Sequence, residues 1–307
     1  MPFSQVPHTI LMVRPASFGY NPETAESNAF QKKSMDEKMV QSDALEQFDA
    51  AVDQIRARGI AVIVIEDTLE PRTTDAIFPN NWITTHEDGK IILYPMMAPS
   101  RRKERRSDIV QQLKDRYDVS EVYDMSKYEI EGRFLEGTGS IIFDHTNMIA
   151  YACRSERTER GLLDSVCNKL GYKSILFNAV DENGQAIYHT NVMMWMGESM
   201  TGICLDSIHD EDEEEIILSQ LASSNHRIIA LSHAQIRAFA GNMFEVRNAK
   251  DERFLLMSQA AYASLLPGQL REIEKYLYPL PVDIHTIEES GGGSIRCMVA
   301  GIHLPAK

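Results

Sequence analysis

Residues 140–177, SIIFDHTNMIAYACRSERTERGLLDSVCNKLGYKSILF, contain one complete structural unit of this 307-residue chain. Two apolar runs flank the polar residues 144–147, which predicts a β-hairpin over 140–152. Apolar residues at helical spacing predict a helix over 159–170, and a second β-rich run predicts a strand over Lys173–Phe177. The segment therefore predicts a hairpin, a helix and a strand in succession.

The same order of elements recurs along the rest of the chain. Further strands are predicted at 8–14, 61–65, 227–231 and 243–247, hairpins at 81–94 and 189–205, and helices at 103–117, 210–221 and 267–278. Ser42 is the predicted N-cap of another helix, which ends before Gly59. Strands at 282–286 and 294–300 are predicted to close the fold as a pair. The units recur roughly every 55 to 65 residues, which indicates a repeat array that shares pattern and not residues.

The composition is that of a folded globular protein without a nucleic-acid function. The chain has 31 Lys and Arg against 45 Asp and Glu, a formal net charge of −14, whereas nucleic-acid binding needs a basic surface. Hydrophobic residues make up 43% of the chain, which excludes disorder as the main state. The length suggests two domains, but no Gly/Ser-rich or low-complexity linker divides the repeats. We therefore expect one domain over 1–307.

The cysteine count and the N-terminus indicate the compartment. Four cysteines are too few for a disulfide framework, which favours a reduced, cytoplasmic protein. The first ten residues lack the pattern of a signal peptide, and no apolar run reaches the length of about 18 residues that a membrane helix needs. We expect a soluble protein without a membrane partner, and a homo-oligomer stays open.

Two clusters of charge are candidate binding sites. The acidic run 210–215, DEDEEE, stands where a helix begins, and acids there stabilise exposed backbone N–H groups. The basic run 101–106, RRKERR, is opposed by the negative charge of the whole chain. Both runs are interpreted as solvated helix starts, with a metal site at the first and a nucleic-acid site at the second as the alternatives.

The glycine-rich segment 291–297, GGGSIRC, offers a candidate nucleophile. Three glycines allow the backbone to approach a ligand closely, and Arg296 can lower the pKa of the neighbouring Cys297 thiol. The alternative is a buried cysteine in a closing strand. The other three cysteines lie in apolar patterns that are typical of a protein core.

A thiolate nucleophile needs a proton shuttle, for which His189 is the candidate among nine histidines. It opens an apolar run, so a core histidine is the alternative. Two further motifs place polar groups directly before predicted strands. These are Glu136 in EGTG, and the amides Asn80 and Asn81 in FPNN. Each motif alone is also typical of an ordinary turn.

Together and in this order, the motifs resemble those of the guanidino-group-modifying superfamily. The matching set is FPNN at 78–81, EGTG at 136–139, SERT at 155–158, HTN at 189–191 and GGGSIRC at 291–297, and with MVRP at 12–15 it spans nearly the whole chain. The superfamily contains arginine deiminases, dimethylarginine hydrolases, amidinotransferases and succinylarginine dihydrolases. The resemblance implies the pentein fold, an α/β propeller of five ββαβ units around a pseudo-fivefold axis. The chain is most similar to the arginine deiminase-related branch that contains citrulline hydrolases.

The resemblance also implies roles for individual residues. Cys297 is the expected nucleophile, His189 the general acid and base, and Glu136 the carboxylate that orients the histidine or binds a substrate nitrogen. Arg157 in SERT matches the arginine that holds the substrate carboxylate in arginine deiminases, and a guanidinium fork suits a carboxylate. An ordinary surface arginine is the alternative there. The expected substrate-binding residues are Asn80, Asn81, Asn191, Arg157 and Arg296.

Three positions depart from the superfamily pattern, because amides or glycine replace acids there. Deiminases carry Asp where this chain has Asn81 and Asn191, and many relatives carry an acid where it has Gly139. A guanidinium offers only donors and prefers carboxylates, whereas a ureido group has a carbonyl oxygen that needs a donor. We therefore expect a ureido amino acid such as citrulline as the substrate. Arginine is the alternative, because an Asn oxygen can also accept from a guanidinium and succinylarginine dihydrolases carry asparagine near this position.

The expected reaction is a covalent hydrolysis. Cys297 attacks the ureido carbon, His189 protonates the departing amine, and water hydrolyses the S-carbamoyl enzyme, so citrulline gives ornithine, carbon dioxide and ammonia. The sequence has no zinc motif, P-loop or dinucleotide fingerprint, and neither a metal nor a cofactor is expected. The alternatives are an arginine deiminase, a dimethylarginine hydrolase or an amidinotransferase with the same cysteine and histidine. A non-catalytic amino-acid-binding protein on the same fold is the alternative of another class.

Overall fold

The computed structural model describes residues 3–25, 28, 30–34 and 36–307 of the chain. Within these ranges the strands are β1 (Thr9–Arg14), β2 (Ala61–Glu66), β3 (Ile83–Thr85), β4 (Lys90–Leu93), β5 (Glu121–Asp124), β6 (Ile142–Asp144), β7 (Ile149–Cys153), β8 (Lys173–Phe177), β9 (Met194–Met196), β10 (Met200–Ile203), β11 (Arg227–Ala230), β12 (Phe244–Arg247), β13 (Arg253–Ser258), β14 (Tyr278–Val282) and β15 (Ala300–Ile302). The α-helices there are α1 (Pro22–Ala25), α2 (Glu37–Ala57), α3 (Ser107–Arg116), α4 (Gly137–Ser140), α5 (Arg160–Leu170), α6 (Glu211–Ser223), α7 (His233–Arg237), α8 (Gln259–Ser264), α9 (Pro267–Ile273), α10 (His285–Gly291) and α11 (Ile295–Met298). Short 3-10 helices cover Pro79–Asn81, Arg101–Glu104, Ser126–Glu131, Thr190–Val192 and Leu205–Ser207.

Among the described residues the strands form five sheets of three, and each sheet is built in the same way. The strand orders are β15-β1-β2, β3-β4-β5, β6-β7-β8, β9-β10-β11 and β12-β13-β14. The first pair in each sheet is antiparallel and the second pair is parallel, as where Phe143 lies opposite Ala150 while Tyr151 lies beside Ile175. A parallel pair needs a crossover connection, which helices such as α5 provide. The predicted unit of hairpin, helix and strand is confirmed.

The inner strands β3, β6, β9, β12 and β15 surround one axis. β15 contacts β3, and β9 contacts both β6 and β12. All five inner strands contribute residues to a single recess between the sheets. The architecture is therefore the α/β propeller of five ββαβ units around a pseudo-fivefold axis that the sequence predicts.

The two ends of the chain complete one unit together. β15 pairs antiparallel with β1, so that Leu11 lies opposite Ala300, and β1 pairs parallel with β2. The sheet that contains the first strand of the chain therefore also contains the last. This pairing closes the ring.

Apolar residues pack between each sheet and its crossover helix. In the unit at 140–177, Leu162 and Val166 of α5 are buried in one cluster with Ala150 and Ala152 of β7. Burial of an aliphatic side chain of this size stabilises a fold by about 1.5 to 3 kcal/mol. The helices therefore hold the outer faces of the sheets, and the inner strands remain around the axis.

The first long helix begins earlier than predicted. Asp36, and not Ser42, is its N-cap, because the Asp36 carboxylate accepts from the backbone N–H groups of Lys38 and Met39, both at 3.1 Å. A carboxylate in that place also complements the helix dipole. In the described ranges, no helix combines the length and the apolar character that crossing a membrane requires.

The predicted closing pair of strands at 282–286 and 294–300 is wrong. The strand before it, β14, runs from Tyr278 to Val282 and pairs in parallel with β13. Its sequence YPLPV contains two prolines, which an edge strand tolerates because one side needs no ladder hydrogen bonds. Residues 285–291 are helical, and the strand that closes the fold, β15, pairs with β1 instead.

Candidate active site

Helical turns precede the inner strands and bring polar side chains to one place. The turn Pro79–Asn81 precedes β3, α4 precedes β6, Thr190–Val192 precedes β9, a turn at 239–242 precedes β12, and α11 precedes β15. The turns and the residues that begin them supply side chains to a common site, in chain order Asn81, Glu136, His189 with Asn191, Asn242 and Cys297. The repeat of the fold thus places residues that are far apart in sequence next to one another.

Gly137 allows two of these turns to meet. Its φ is +44°, in the left-handed region, and a Cβ atom there would overlap with the backbone carbonyl oxygen of Asn80. Only glycine combines this backbone angle with the close approach. The turn that carries Glu136 therefore packs directly against the turn that carries Asn81.

His189 and Glu136 form a buried pair. His189 Nε2 and Glu136 Oε2 lie 2.9 Å apart, and the backbone N–H of Met97 donates to Glu136 Oε1 at 3.0 Å. Burial opposes ionisation of Glu136, but Arg157, His189 and Arg101 outweigh it and hold the pKa of the carboxyl below its ordinary range. Glu136 is therefore a carboxylate that accepts from His189.

The imidazole of His189 is neutral at neutral pH. Burial lowers its pKa to about 4, although Glu136 acts in the opposite direction. Because Nε2–H donates to Glu136, the lone pair of the neutral ring is on Nδ1. A Cβ atom on Gly139 would lie 2.8 Å from that Nδ1 atom, so the small residue leaves room for the ring.

Cys297 is buried and accepts from two amides. Asn191 Nδ2 and Asn242 Nδ2 each donate to its Sγ atom at 3.3 Å, and the Cys297 backbone N–H donates to Asn242 Oδ1 at 3.3 Å. Burial raises the pKa of the thiol, and the two amides, the Ser294 backbone and Arg296 act against that rise. Hydrogen bonds to sulfur favour the thiolate, which is the nucleophilic form.

Asn242 was not predicted from the sequence. Its signal is positional, because it stands two residues before β12 just as Asn81 stands two residues before β3. An alignment of the turns before the inner strands would therefore have identified it. The residues around it, GNMF, form no recognised motif.

Arg101 fixes the orientation of the Asn81 amide. Arg101 Nη1 donates to Asn81 Oδ1 at 2.8 Å, while its Nε and Nη2 atoms donate to the Glu104 carboxylate at 2.9 and 3.0 Å. The interpretation of 101–106 as a solvated run is wrong for these two residues, since Arg101 and Glu104 are both 3% exposed. Two of the six charged residues turn inwards and pair, which the composition of the run cannot reveal.

These groups border a small cavity of about 20 Å³. Cys297, His189, Asn81, Arg101 and Arg157 line it, and Gly291 to Gly293 form part of its wall. Asp75, which the sequence did not single out, also lines it. One oxygen of Asp75 accepts from Asn21 at 2.7 Å, and the other has no hydrogen-bond partner among the described residues.

The remaining predicted site residues lie in different places. Asn191 reaches the cysteine, and Arg157 Nη1 lies 3.4 Å from Glu136 Oε2 with its guanidinium over the Tyr188 ring. Asn80 is fully buried outside the cavity lining, so Asn81 is the amide that borders it. Arg296 points away from the cavity, donates from Nη1 to the Val299 carbonyl at 2.9 Å and lies over the Phe244 ring.

Within the described part of the chain, no group of three or more His, Cys, Asp or Glu side chains is placed to hold a metal ion. The site consists of a thiol with two amide donors, a neutral imidazole oriented by a carboxylate, and a cavity with both cationic and anionic walls. This arrangement can perform nucleophilic attack by sulfur with proton transfer by the imidazole.

Known proteins resemble the chain in sequence and in structure. A family model described as N,N dimethylarginine dimethylhydrolase, eukaryotic, matches residues 14–304. The N-terminal domain of ArgZ, an arginine dihydrolase from the ornithine-ammonia cycle in cyanobacteria, has been solved as a variant bound to substrate. It is 15% identical with a TM-score of 0.72, over 97% of this chain and 98% of that one.

Two other solved structures share the five-unit propeller. AgrE, solved as a variant in complex with L-arginine, is 16% identical with a TM-score of 0.73, over 97% of this chain and 40% of that one. A dimethylarginine dimethylaminohydrolase adduct with S-methyl-L-thiocitrulline is 14% identical with a TM-score of 0.62, over 98% of this chain and 99% of that one. The chain spans 41% of the longer ArgZ chain and 40% of AgrE. Among curated proteins, no sequence matches this chain.

Proposed function

The chain belongs to the N,N-dimethylarginine dimethylhydrolase family of guanidino-group-modifying hydrolases, and we propose that it is a cysteine hydrolase acting on the ureido carbon of a citrulline-like amino acid. One observation carries the choice of substrate, namely the orientation of Asn81. Its oxygen accepts from Arg101, and its Nδ2 atom has no hydrogen-bond partner among the described residues. The Arg101 guanidinium has only donors. If the Asn81 amide rotated, its N–H groups would therefore face the N–H groups of Arg101.

Asn81 therefore offers the cavity donors and no acceptor. The carbonyl oxygen of a ureido group accepts from such donors, whereas a guanidinium would meet them with its own N–H groups. A buried donor without an acceptor costs about 1 to 3 kcal/mol. The amide at position 81 thus favours citrulline over arginine.

The reaction begins from a neutral pair. Burial raises the pKa of the Cys297 thiol and lowers the pKa of His189 to about 4, so at neutral pH neither group is charged. A neutral substrate brings no cation that would stabilise a thiolate. In the proposed reaction the Nδ1 lone pair of His189, which lines the same cavity as Cys297, takes the thiol proton as the sulfur attacks, and Glu136 stabilises the imidazolium that forms.

The next steps pass the same proton on. The bond between the Cys297 sulfur and the ureido carbon forms, and the bond from that carbon to the side-chain nitrogen of the substrate breaks. His189 gives its proton to this departing amine, which leaves as ornithine. A water molecule that His189 deprotonates then hydrolyses the S-carbamoyl group, and the carbamate released decomposes to carbon dioxide and ammonia.

Charged groups on the cavity wall can hold the amino-acid end of the substrate. Arg157 lines the cavity with its guanidinium stacked 5.1 Å from the centre of the Tyr188 ring, and a guanidinium suits a carboxylate. Asp75 has one oxygen without a partner among the described residues, which suits an ammonium group. Glu136 is less suited to a substrate nitrogen, because its two oxygens already accept from Met97 and His189.

Arginine or a methylated arginine is the second candidate. Asn191 Oδ1 is a buried acceptor without a partner among the described residues, and it lies on the amide that contacts Cys297. A guanidinium could donate to this oxygen. ArgZ is an arginine dihydrolase and AgrE was solved with L-arginine, which supports the same candidate.

The experiment that tests the proposal supplies the purified chain with citrulline, arginine or dimethylarginine in separate reactions and follows ornithine, citrulline, ammonia and dimethylamine. We expect ornithine from citrulline, and no product from the Cys297→Ala variant, whose fold is checked by circular dichroism. Arginine consumed while citrulline stays intact would refute the ureido substrate. Turnover that persists in Cys297→Ala would refute the nucleophile.

The same reactions distinguish hydrolysis from amidino transfer and from binding without catalysis. An amidinotransferase would form product only when an amine acceptor is added. A non-catalytic binding protein would bind citrulline and leave it unchanged, and its Cys297 would react with iodoacetamide no faster than an ordinary buried cysteine.

A further inference from the structure

A second recess lies on the pseudo-fivefold axis, between the inner strands. Its volume is about 40 Å³, and its lining includes Phe143, Trp195 and Phe244. It shares no lining residue with the cavity at Cys297. The two spaces are nevertheless neighbours, because Arg296 lines the axial recess and is adjacent to Cys297 in the chain. We call this space the axial recess.

Arg296 is a buried cation without an ionic partner among the described residues. It is 8% exposed, and its one side-chain hydrogen bond there runs from Nη1 to the Val299 carbonyl. Its guanidinium lies 4.4 Å from the centre of the Phe244 ring. Burial lowers the pKa of Arg296 to about 10, so the group remains a cation at neutral pH. A buried charge that no opposite charge compensates is unfavourable, and an anion would relieve it.

The rest of the wall offers hydrogen-bond donors and no negative charge. His86, His145 and His303 line the recess, and the rings of His145 and His303 are 4.3 Å apart. Among the residues described, His86 Nδ1 is buried without a hydrogen-bond partner. None of the residues that line the recess in the described chain is Asp or Glu.

The three histidines are neutral, and they can contribute hydrogen-bond donors to the recess without being protonated. Burial lowers the pKa of His86 to about 3 and that of His303 to about 4, and it lowers the pKa of His145 well below its ordinary value. Each neutral ring can turn one N–H group towards an acceptor. Oxyanions and halides accept several such bonds at once, whereas a cation would meet the charge of Arg296.

We propose that the axial recess is a binding site for a small inorganic anion, which is held against the guanidinium of Arg296. The shared chemistry is that of a compact acceptor such as hydrogencarbonate, phosphate or a halide. The site does not depend on the substrate of the catalytic cavity. It does affect Cys297, because the charge of Arg296 lowers the pKa of that thiol and a bound anion would offset the charge.

Bromide is the probe for the decisive experiment, because it scatters X-rays anomalously. Crystals of the unliganded chain are soaked in sodium bromide, and the solution protein is titrated calorimetrically with bromide, hydrogencarbonate or phosphate at constant ionic strength. We expect an anomalous peak in the axial recess within hydrogen-bond distance of Arg296, and saturable heat with at least one of the anions. The anion that displaces bromide at the lowest concentration identifies the preferred ligand.

Two variants sharpen the result. Arg296→Met keeps an apolar side chain of similar length and is expected to lose the saturable heat, while Arg116→Met, at an exposed position of α3, retains it. If Arg296→Met does not fold, the position of the bromide peak in the unmodified chain decides. Peaks only at the surface, or equal loss of heat in both variants, would overturn the proposal.

A second readout measures the coupling to the cysteine. At fixed pH and ionic strength, saturating anion is expected to slow alkylation of Cys297 by iodoacetamide, and to leave the rate unchanged in Arg296→Met. An anion that binds in the recess of the unmodified chain without slowing alkylation would overturn the coupling. Neither readout uses a substrate, so a chain that fails to hydrolyse citrulline could still bind the anion.

Discussion

Arg101 donates from Nη1 to Asn81 Oδ1 across 2.8 Å, and both side chains are buried beside the cavity. This hydrogen bond occupies the amide oxygen and leaves the amide nitrogen of Asn81 for the substrate. Arg101 is itself held by two hydrogen bonds to Glu104 and one to the Phe78 carbonyl. The amide donors at position 81 are therefore fixed before any substrate arrives, and preorganised donors are more effective than donors that must turn.

Replacement of Asn81 by aspartate is expected to reverse the substrate preference. In Asn81→Asp the residue accepts from Arg101 and presents a second acceptor to the cavity, which suits a guanidinium and repels a ureido oxygen. We expect kcat/KM for citrulline to fall about 10- to 100-fold, because the ureido oxygen loses its donor and a buried acceptor without a partner costs about 1 to 3 kcal/mol. The measurement is kcat/KM for citrulline and for arginine. Asn81→Ala is the control, and it should lower turnover without favouring arginine; an unchanged ratio in Asn81→Asp would contradict the assignment.

Removal of one amide donor from the sulfur is expected to make Cys297 less reactive. Asn242 lowers the pKa of the thiol against the effect of burial, so Asn242→Ala should raise that pKa further. At pH values below the thiol pKa, a rise of one unit in that pKa would slow alkylation by iodoacetamide about tenfold. The rate is measured against pH by mass spectrometry of the peptide that contains Cys297. Asn191→Ala should act in the same direction, and an unaltered pH profile in both variants would show that the amides do not tune the thiol.

A methyl group at position 139 is expected to disturb His189. A Cβ atom there would lie 2.8 Å from His189 Nδ1 and would overlap with the Asn81 amide nitrogen. One of these groups must move, and misplacement by about 1 Å can lower turnover about 100-fold. Gly268→Ala is the matched control, since nothing lies within 4 Å of a Cβ atom at that position. Steady-state kcat for Gly139→Ala that equals that of Gly268→Ala would contradict the crowding of the site.

Glu288 is expected to make the stability of the fold depend on pH. Burial raises its pKa to about 7 from 4.5, although Ser258 and Ser294 donate to it. A carboxyl whose pKa is raised on folding contributes stability below about pH 4.5 and loses that contribution as the pH rises through 7. Relative to Glu288→Gln, the unmodified chain should therefore lose up to about 3 kcal/mol of unfolding free energy between pH 5 and pH 8.

Urea unfolding at the two pH values measures this difference. The exposed neighbour Glu289, which pairs with Lys32 at the surface, supplies the control variant Glu289→Gln. That control should follow the unmodified chain at both pH values. If Glu288→Gln shows the same pH dependence as the control, Glu288 is ionised in the folded state at pH 5 and the account of its burial is wrong.

The repeat could be predicted from the sequence because each unit is defined by local patterns. Turn residues between apolar runs mark the hairpins, and helical spacing marks the crossover, so the bounds of Lys173–Phe177 agree with the structure. The C-terminal unit could not be predicted in this way. Its outer strand Tyr278–Val282 contains two prolines, and the pairing of β15 with β1 joins residues from opposite ends of the chain.

The residues of the candidate site also differ in whether local sequence patterns predict their position. Motifs identified Glu136, His189 and Cys297, which the fold does bring to one cavity or its edge. Arg101 was hidden in a run of charge, because its inward direction is determined by Asn81 and Glu104 and not by its neighbours in sequence. Arg296 was expected at the substrate because it precedes Cys297. The helical turn of α11 instead sends the two side chains to separate spaces.

Attack of Cys297 on a ureido carbon leaves a carbamoyl group on the sulfur, and this covalent adduct can be detected. The chain is mixed with equal concentrations of citrulline and arginine, quenched with acid within the first turnover, and digested, and the Cys297 peptide is analysed by mass spectrometry. We expect a peptide that carries a carbamoyl group from citrulline. A peptide that carries an amidino group or an N-substituted amidino (alkylthiouronium) group from arginine, with no carbamoyl adduct, would contradict it.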